Sequence, residues 1–150
     1  MNLYVDSSAL LRRYLIRPGG PEFEDLLCGA SVVATAALTR VEVAAVIVRY
    51  SMNGGITKRA GLDALEQLED DCSRMIERGI GKDTIAAAYT VALSGSLKGY
   101  DAVHLAVALL WRDSLCGAPV TVATFDELMW KAAHLSDFDV WPPDLSLFKS

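Results

Sequence analysis

Four acidic residues stand in apolar frames that give them little local company: Asp6 in YVDSSAL, Glu42 in TRVEVAAVIV, Asp101 in LKGYDAVHLAVA and Asp126 in VATFDELMW. An ionised carboxylate in a low-dielectric setting requires a cation, several hydrogen-bond donors or a metal, and the stretch around Asp101 offers only His104. Taken singly, the acids have ordinary explanations. Asp6, Asp101 and Asp126 each stand at the start of a helical pattern, where a carboxylate caps free N–H groups. Glu42 shares a helical stripe with Thr39 and Arg49, which reads as a thin solvent-facing edge on an otherwise apolar helix. Taken together they imply something else. Two like charges about 4 Å apart cost about 4 kcal/mol at an effective dielectric near 20, so four gathered acids hold a cation or take up protons. All-oxygen ligation selects Mg²⁺ or Mn²⁺. Such ions activate water and stabilise charge building on a phosphoryl group, which is the chemistry of phosphodiester hydrolysis.

Whether the four can meet depends on the elements that carry them. Asn2 to Val5 reads as a buried strand, followed by a helix from Ser7 to Ile16 that Pro18-Gly19-Gly20-Pro21 ends. A short helix over Glu22 to Leu27, a β-branched strand over Ser31 to Thr35 and a long helix over Ala37 to Met52 follow. Thr57 caps a helix running to Arg74, Met75 to Ile80 forms a third strand, and a helix from Asp83 or Thr84 stops at Gly95. Tyr100 to Leu115 is helical, Val120 to Thr124 a strand, Asp126 to Leu135 a helix, and Phe138 to Trp141 a last strand. This alternation predicts an α/β fold: one domain over residues 1–150, with a central, mainly parallel sheet of about four to five strands and helices on both faces. Ligands of such sheets bind outside the carboxyl ends of the strands. Asp6 follows the first strand, Phe125 and Asp126 follow the Val120 to Thr124 strand, and Glu42 can point there from a crossover helix.

In residues, order and spacing, YVDSSAL, LTRVEVAAVI, LKGYDAVHLAVAL and VATFDEL resemble the four motif regions of PIN-domain proteins, most closely the VapC-type toxins of bacterial toxin–antitoxin pairs. The resemblance covers nearly the whole chain and rests on the ordered set of Asp, Glu, Asp and Asp rather than on any one motif. It implies a metal-dependent endoribonuclease of the cytoplasm that uses Mg²⁺ or Mn²⁺ and is held inactive by a small antitoxin. Carried over position by position, Asp6, Glu42, Asp101 and Asp126 match the acidic quartet of catalysis and metal binding. Ser8 and Thr124 match the hydroxyl positions that orient it. His104 is expected to be structural, hydrogen-bonded beside the site.

Composition sets the remaining bounds. The net charge of −5 argues mildly against non-specific nucleic-acid binding, yet the first fifty residues hold five basic and five acidic side chains, against three and seven in the last fifty. A basic patch is expected around Arg12, Arg13, Arg17, Arg40 and Arg49, with Arg12, Arg13 and Arg40 as contacts for RNA or a partner. The 52% hydrophobic content calls for a large core or an apolar surface covered by another chain; a homodimer is expected, and Leu10, Leu11, Tyr14, Leu15, Leu26 and Leu27 offer stripes that serve either core or antitoxin. No apolar stretch reaches the ~20 residues of a membrane span, and no leader pattern precedes the first strand. Cys28, Cys72 and Cys116 lack CxxC spacing and are expected to be buried free thiols. Other phosphate chemistries fit poorly: GIGKD at Gly79 to Asp83 lacks the P-loop glycine at Ile76 and its Ser or Thr at Asp83, and no GxGxxG follows the first strand. An aspartate-nucleophile phosphatase would want an acid where Ser8 stands. The rival from another class is a non-catalytic binding module whose acids are only caps.

Overall fold

The computed structural model describes residues 1–95 and 97–148; the final two positions of the expected 1–150 domain lie outside the described residues. The chain runs β1 (Asn2–Val5), α1 (Ser7–Tyr14), α2 (Gly20–Gly29), β2 (Val32–Ala36), α3 (Ala37–Met52), α4 (Lys58–Arg74) and β3 (Ile76–Arg78). It continues with α5 (Lys82–Ala92), α6 (Gly99–Ser114), β4 (Val120–Ala123), α7 (Glu127–Leu135), β5 (Asp139–Trp141) and a 3₁₀ turn over Leu145–Phe148. The strands form one parallel five-stranded sheet in the order β3-β2-β1-β4-β5. The α/β expectation holds.

Side-chain alternation along β1 divides the interior in two. Leu3 and Val5 point to one face, where they pack with Leu10, Phe23, Val43, Ile47 and Leu68 of α1 to α4. Tyr4 points to the other and packs with Leu105 and Trp111 of α6 and Met129 of α7. A strand buried on both faces must be apolar throughout, as NLYV nearly is. β1 is also where the order of strands turns back: β2 and β3 extend the sheet to one side and β4 and β5 to the other. The carboxyl ends of β1 and β4 therefore flank the crevice in which such sheets hold ligands.

Several expected boundaries move, each for a local reason. α1 stops at Tyr14 because Leu15 turns extended (φ −120°, ψ 138°) and sends its side chain into the core. α2 begins at Gly20, two residues before Glu22, with Pro21 in its first turn, where proline's missing N–H costs nothing. β3 shortens to Ile76–Arg78. Thr57 does cap α4, its side chain accepting from Ala60 N–H at 3.1 Å. The stripe through Glu42 is not a solvent edge: Thr39 is fully buried, its hydroxyl bonded to Thr35 at 2.7 Å. Of the three cysteines only Cys72 is buried; Cys28 and Cys116 are exposed, because Cys28 ends α2 on its outer side and Cys116 lies in the turn after α6. Leu10, Leu11 and Leu15 are core, so the stripe expected on α1 offers no docking face.

Candidate active site

Asp6 follows β1 and caps α1, its Oδ1 accepting from Ala9 N–H at 2.9 Å. The cap is only part of its role. Ser8 donates to the same oxygen at 2.8 Å and Thr124, following β4, donates to Oδ2 at 2.6 Å. Ser8 in turn accepts from Phe125 N–H at 2.8 Å and Thr124 from Asp126 N–H at 3.1 Å, so the segments after β1 and β4 are laced together across the crevice. The carboxylate is 4% exposed. Burial pushes Asp6 above the ordinary aspartate range, against the pull of His104 and the bonds from Thr124, Ala9 and Ser8. A buried acid fixed at both oxygens and still biased toward its neutral form favours a nearby cation.

Asp126 caps α7 through Oδ1, which accepts from Leu128 and Met129 N–H, both at 2.9 Å. Asp101 does something different. The cap position of α6 belongs to Lys98 and Asp101 lies a turn inside, so the capping explanation fails for it. No hydrogen bond or ion pair reaches its half-buried carboxylate among the described residues. Burial pushes it up, and so do the charges of Asp126 and Asp6, which outweigh His104 and Lys98. Asp101 therefore lies within electrostatic reach of both Asp126 and Asp6.

Glu42 stands to the side. From α3 it accepts from Ser7 Oγ at 2.7 Å, and its Oε2 lies 2.8 Å from His104 Nε2. Burial pushes Glu42 up, but His104 and Ser7 more than offset it, and the carboxyl titrates below the ordinary range. His104 is buried on α6, with Nδ1 3.1 Å from the Tyr4 hydroxyl. Burial first, then the charge of Asp6, holds the Tyr4 phenol well above its ordinary value, so Tyr4 keeps its proton beside Nδ1. Nε2–H then points at Glu42. His104 is thus the structural, hydrogen-bonded residue expected from its place beside Asp101. Ser7 and Tyr4 had no assigned role. Ser7 sits inside YVDSSAL and was legible as a second hydroxyl, whereas Tyr4 carried no signal beyond strand periodicity.

Two of the five arginines of the expected patch are neutralised by carboxylates. Arg13 pairs with Asp71 and Glu24, and Arg40 with Glu77 and Glu69 at 3.0 and 2.9 Å. Arg12 differs: its guanidinium lies 3.4 Å from the centre of the Phe125 ring and it has no carboxylate partner among the described residues. Burial, then the charge of Arg17, pushes it below the ordinary arginine value while Asp6 pulls it back, which sets Arg12 in the field of the acidic cluster.

Among the described residues, no three His, Cys, Asp or Glu side chains already surround one cation position. The fit to a divalent ion is therefore one of donor chemistry and charge: the carboxylates of Asp6 and Asp126 act electrostatically on that of Asp101, and His104 and Lys98 only partly offset them. A hard cation suits that set.

A family model described as the PIN domain matches residues 3–135. Among solved structures, FitAcB from Neisseria gonorrhoeae superposes with a TM-score of 0.63 at 18% identity, over 94% of this chain and 97% of that one. A toxin-antitoxin complex from Klebsiella pneumoniae gives 0.61 at 18% identity, over 83% and 86%, and PAE2754 from Pyrobaculum aerophilum 0.60 at 16%, over 88% and 84%. No curated protein sequence matches.

Proposed function

The chain belongs to the PIN-domain family, and from that premise we propose that it is a metal-dependent endoribonuclease acting as the toxin of a VapBC-type pair. The observation that carries this reading is Asp101: a half-buried carboxylate with no hydrogen-bond partner among the described residues, within electrostatic reach of Asp6 and Asp126. A set of helix caps accounts for Asp6 and Asp126 but leaves Asp101 unexplained, which counts against a purely structural module.

Asp6, Asp101 and Asp126, with Glu42 beside them, would hold Mg²⁺ or Mn²⁺. When bound, the ion supplies an activated water and charge stabilisation at the phosphoryl group. The protein's own share is orientation. Ser8 and Thr124 fix both oxygens of Asp6, so little reorganisation is required when a phosphodiester arrives. The Tyr4–His104–Glu42 chain holds Glu42 ionised and aimed from α3. A partner antitoxin is supported by the toxin-antitoxin complex among the similar structures. Exposed apolar side chains on α3 and α4 (Val41, Val48, Met52, Leu62) and on α5 (Ile85, Tyr89, Leu93) suit contact with that partner or a second copy.

The test is cleavage of RNA by purified protein in Mg²⁺ or Mn²⁺, beside Asp6→Asn, Glu42→Gln and Asp101→Asn prepared identically. Cleavage by the wild type that EDTA and each substitution abolish is expected. Equal cleavage by wild type and variants would reveal a contaminant and sink the reading.

A further inference from the structure

The three arginines expected as contacts for RNA or a partner are not equivalent, and the difference singles out one. Arg13 and Arg40 spend their charge on carboxylates. Arg12 spends one N–H on the Pro18 carbonyl and one face on the Phe125 ring, and its buried Nε has no partner. Both anchors are themselves fixed. Phe125 N–H donates to Ser8, which also holds Asp6. Gly19, at φ +84°, lets the loop carrying Pro18 lie against Phe125, since a Cβ there would come within 2.9 Å of the ring. An unpaired guanidinium is thus held rigidly next to the carboxylate crevice.

Arg12 also opens onto a cavity of about 350 Å³ that Arg17, Leu15 and Pro21 help to line. Arg17 is exposed, and no carboxylate pairs with its side chain among the described residues. The one carboxylate of the cavity, Glu24, is engaged by Arg13. Two guanidinium groups without a carboxylate partner among the described residues thus share a recess, and the charge of Arg17 raises the cost of the charge on Arg12. An anion removes that cost, and a guanidinium fork suits phosphate oxygens.

We propose that Arg12, assisted by Arg17, holds a backbone phosphate of the RNA strand beside the carboxylates and so positions the strand for cleavage. The inference rests on the ribonuclease reading for its ligand, and it explains how a protein of net charge −5 presents an acidic site to a polyanion. Arg12 is a positioning residue here.

The test measures binding of a fluorescein-labelled, mixed-sequence, single-stranded RNA 20-mer by anisotropy. It uses the full chain carrying Asp101→Asn, at fixed millimolar Mg²⁺ over a KCl series. Adding Arg12→Met, which retains an apolar stem on Phe125, should weaken binding about tenfold and flatten the slope of log K against log [KCl] by about 0.7 for each phosphate no longer neutralised. Arg17→Met should act in the same direction and less strongly, and Arg12→Lys should recover the slope but only part of the affinity. In the cleavage assay, Arg12→Met on the wild-type background should raise KM more than it lowers kcat. Unchanged affinity and slope in folded Arg12→Met would overturn the inference while leaving the nuclease reading intact; if that variant fails to fold, unchanged values in both Arg12→Lys and Arg17→Met would do the same. RNA binding that Arg12→Met weakens, in a wild type that never cleaves, would instead overturn the nuclease reading and uphold the phosphate contact. A wild type that neither binds nor cleaves RNA defeats both.

Discussion

At the scale of single residues, Asp101 separates a metal site from a set of caps. Without metal its carboxyl titrates above the ordinary range because of burial and the charges of Asp126 and Asp6. The native state then binds a proton more tightly than the unfolded chain, whose carboxyl titrates near 3.9. Stability must fall as pH rises from about 4 through the raised value. Asp101→Asn abolishes that loss, so in EDTA the variant should melt with wild type below pH 4 and above it at pH 7. Metal reverses the order: at a hundredfold excess over Kd, Mn²⁺ adds about 2.7 kcal/mol to the wild type, a shift of roughly 5–10 °C for a chain of this size, most of which the variant should forfeit. Paired thermal melts in EDTA and Mn²⁺ at two pH values decide it, and equal Mn²⁺ shifts would remove Asp101 from the site. The cysteines give a simpler residue-level outcome. Burial, followed by the charge of Glu77, pushes Cys72 up to about 11, whereas Cys28 and Cys116 are exposed. A thiol reagent at pH 8 should label two sites in the native protein and the third only on unfolding; rapid labelling of all three would contradict the packing around Cys72.

At the scale of elements, the caps and ion pairs that place the helices can be told apart from the chemistry they serve. Asp126 caps α7 through one oxygen, and asparagine caps as well as aspartate while carrying no charge. Asp126→Asn should therefore leave stability within about 0.5 kcal/mol and abolish RNA cleavage, whereas Asp126→Ala should also cost about 1 kcal/mol. Chemical denaturation beside a cleavage assay separates the two, and an active Asp126→Asn would reduce Asp126 to a cap. The tie between α1 and α4 is the converse case. Asp71, 7% exposed, accepts from Arg13 and from the Tyr14 hydroxyl at 2.8 Å, and no carboxylate of the crevice takes part. Asp71→Ala leaves Arg13 to Glu24 alone and should cost about 3 kcal/mol, with cleavage per folded molecule unchanged.

At the scale of the whole molecule, charge distribution governs encounter with RNA. A negative chain with an acidic crevice repels a polyanion, and only locally unpaired cations and a bound divalent ion oppose that repulsion. At constant ionic strength, replacing K⁺ by millimolar Mg²⁺ should tighten binding of a non-hydrolysable RNA analogue by the wild type, opposite to the usual competition of cations for phosphate. Weaker binding under that exchange would show that no ion bridges the acids and the strand. In cells, expression of the chain alone should arrest growth and coexpression of the adjacent small reading frame should relieve it; harmless expression of catalytically competent protein would remove the toxin assignment and leave the nuclease.

What the sequence determined by itself is the order of elements and which acids stand near the strand ends. Periods of two and of 3.6 residues, punctuated by Pro18-Gly19-Gly20-Pro21, by Asn53-Gly54-Gly55 and by Gly117, are local signals, and the strands and helices follow them to within a few residues. Asp6 and Asp126 were legible as crevice candidates because Asp6 directly follows a strand and Asp126 lies in the short segment after one. Only the tertiary structure decided which partners each charge would find. Glu42 is held by a histidine 62 positions away, Asp6 by a threonine 118 away and Arg13 by an aspartate 58 away, while Arg12, next to Arg13 in the chain, has no carboxylate partner among the described residues. Such pairings arise when helices pack on the sheet and on one another, and the free energy of a buried charge depends on groups brought near by that packing rather than on its sequence neighbours.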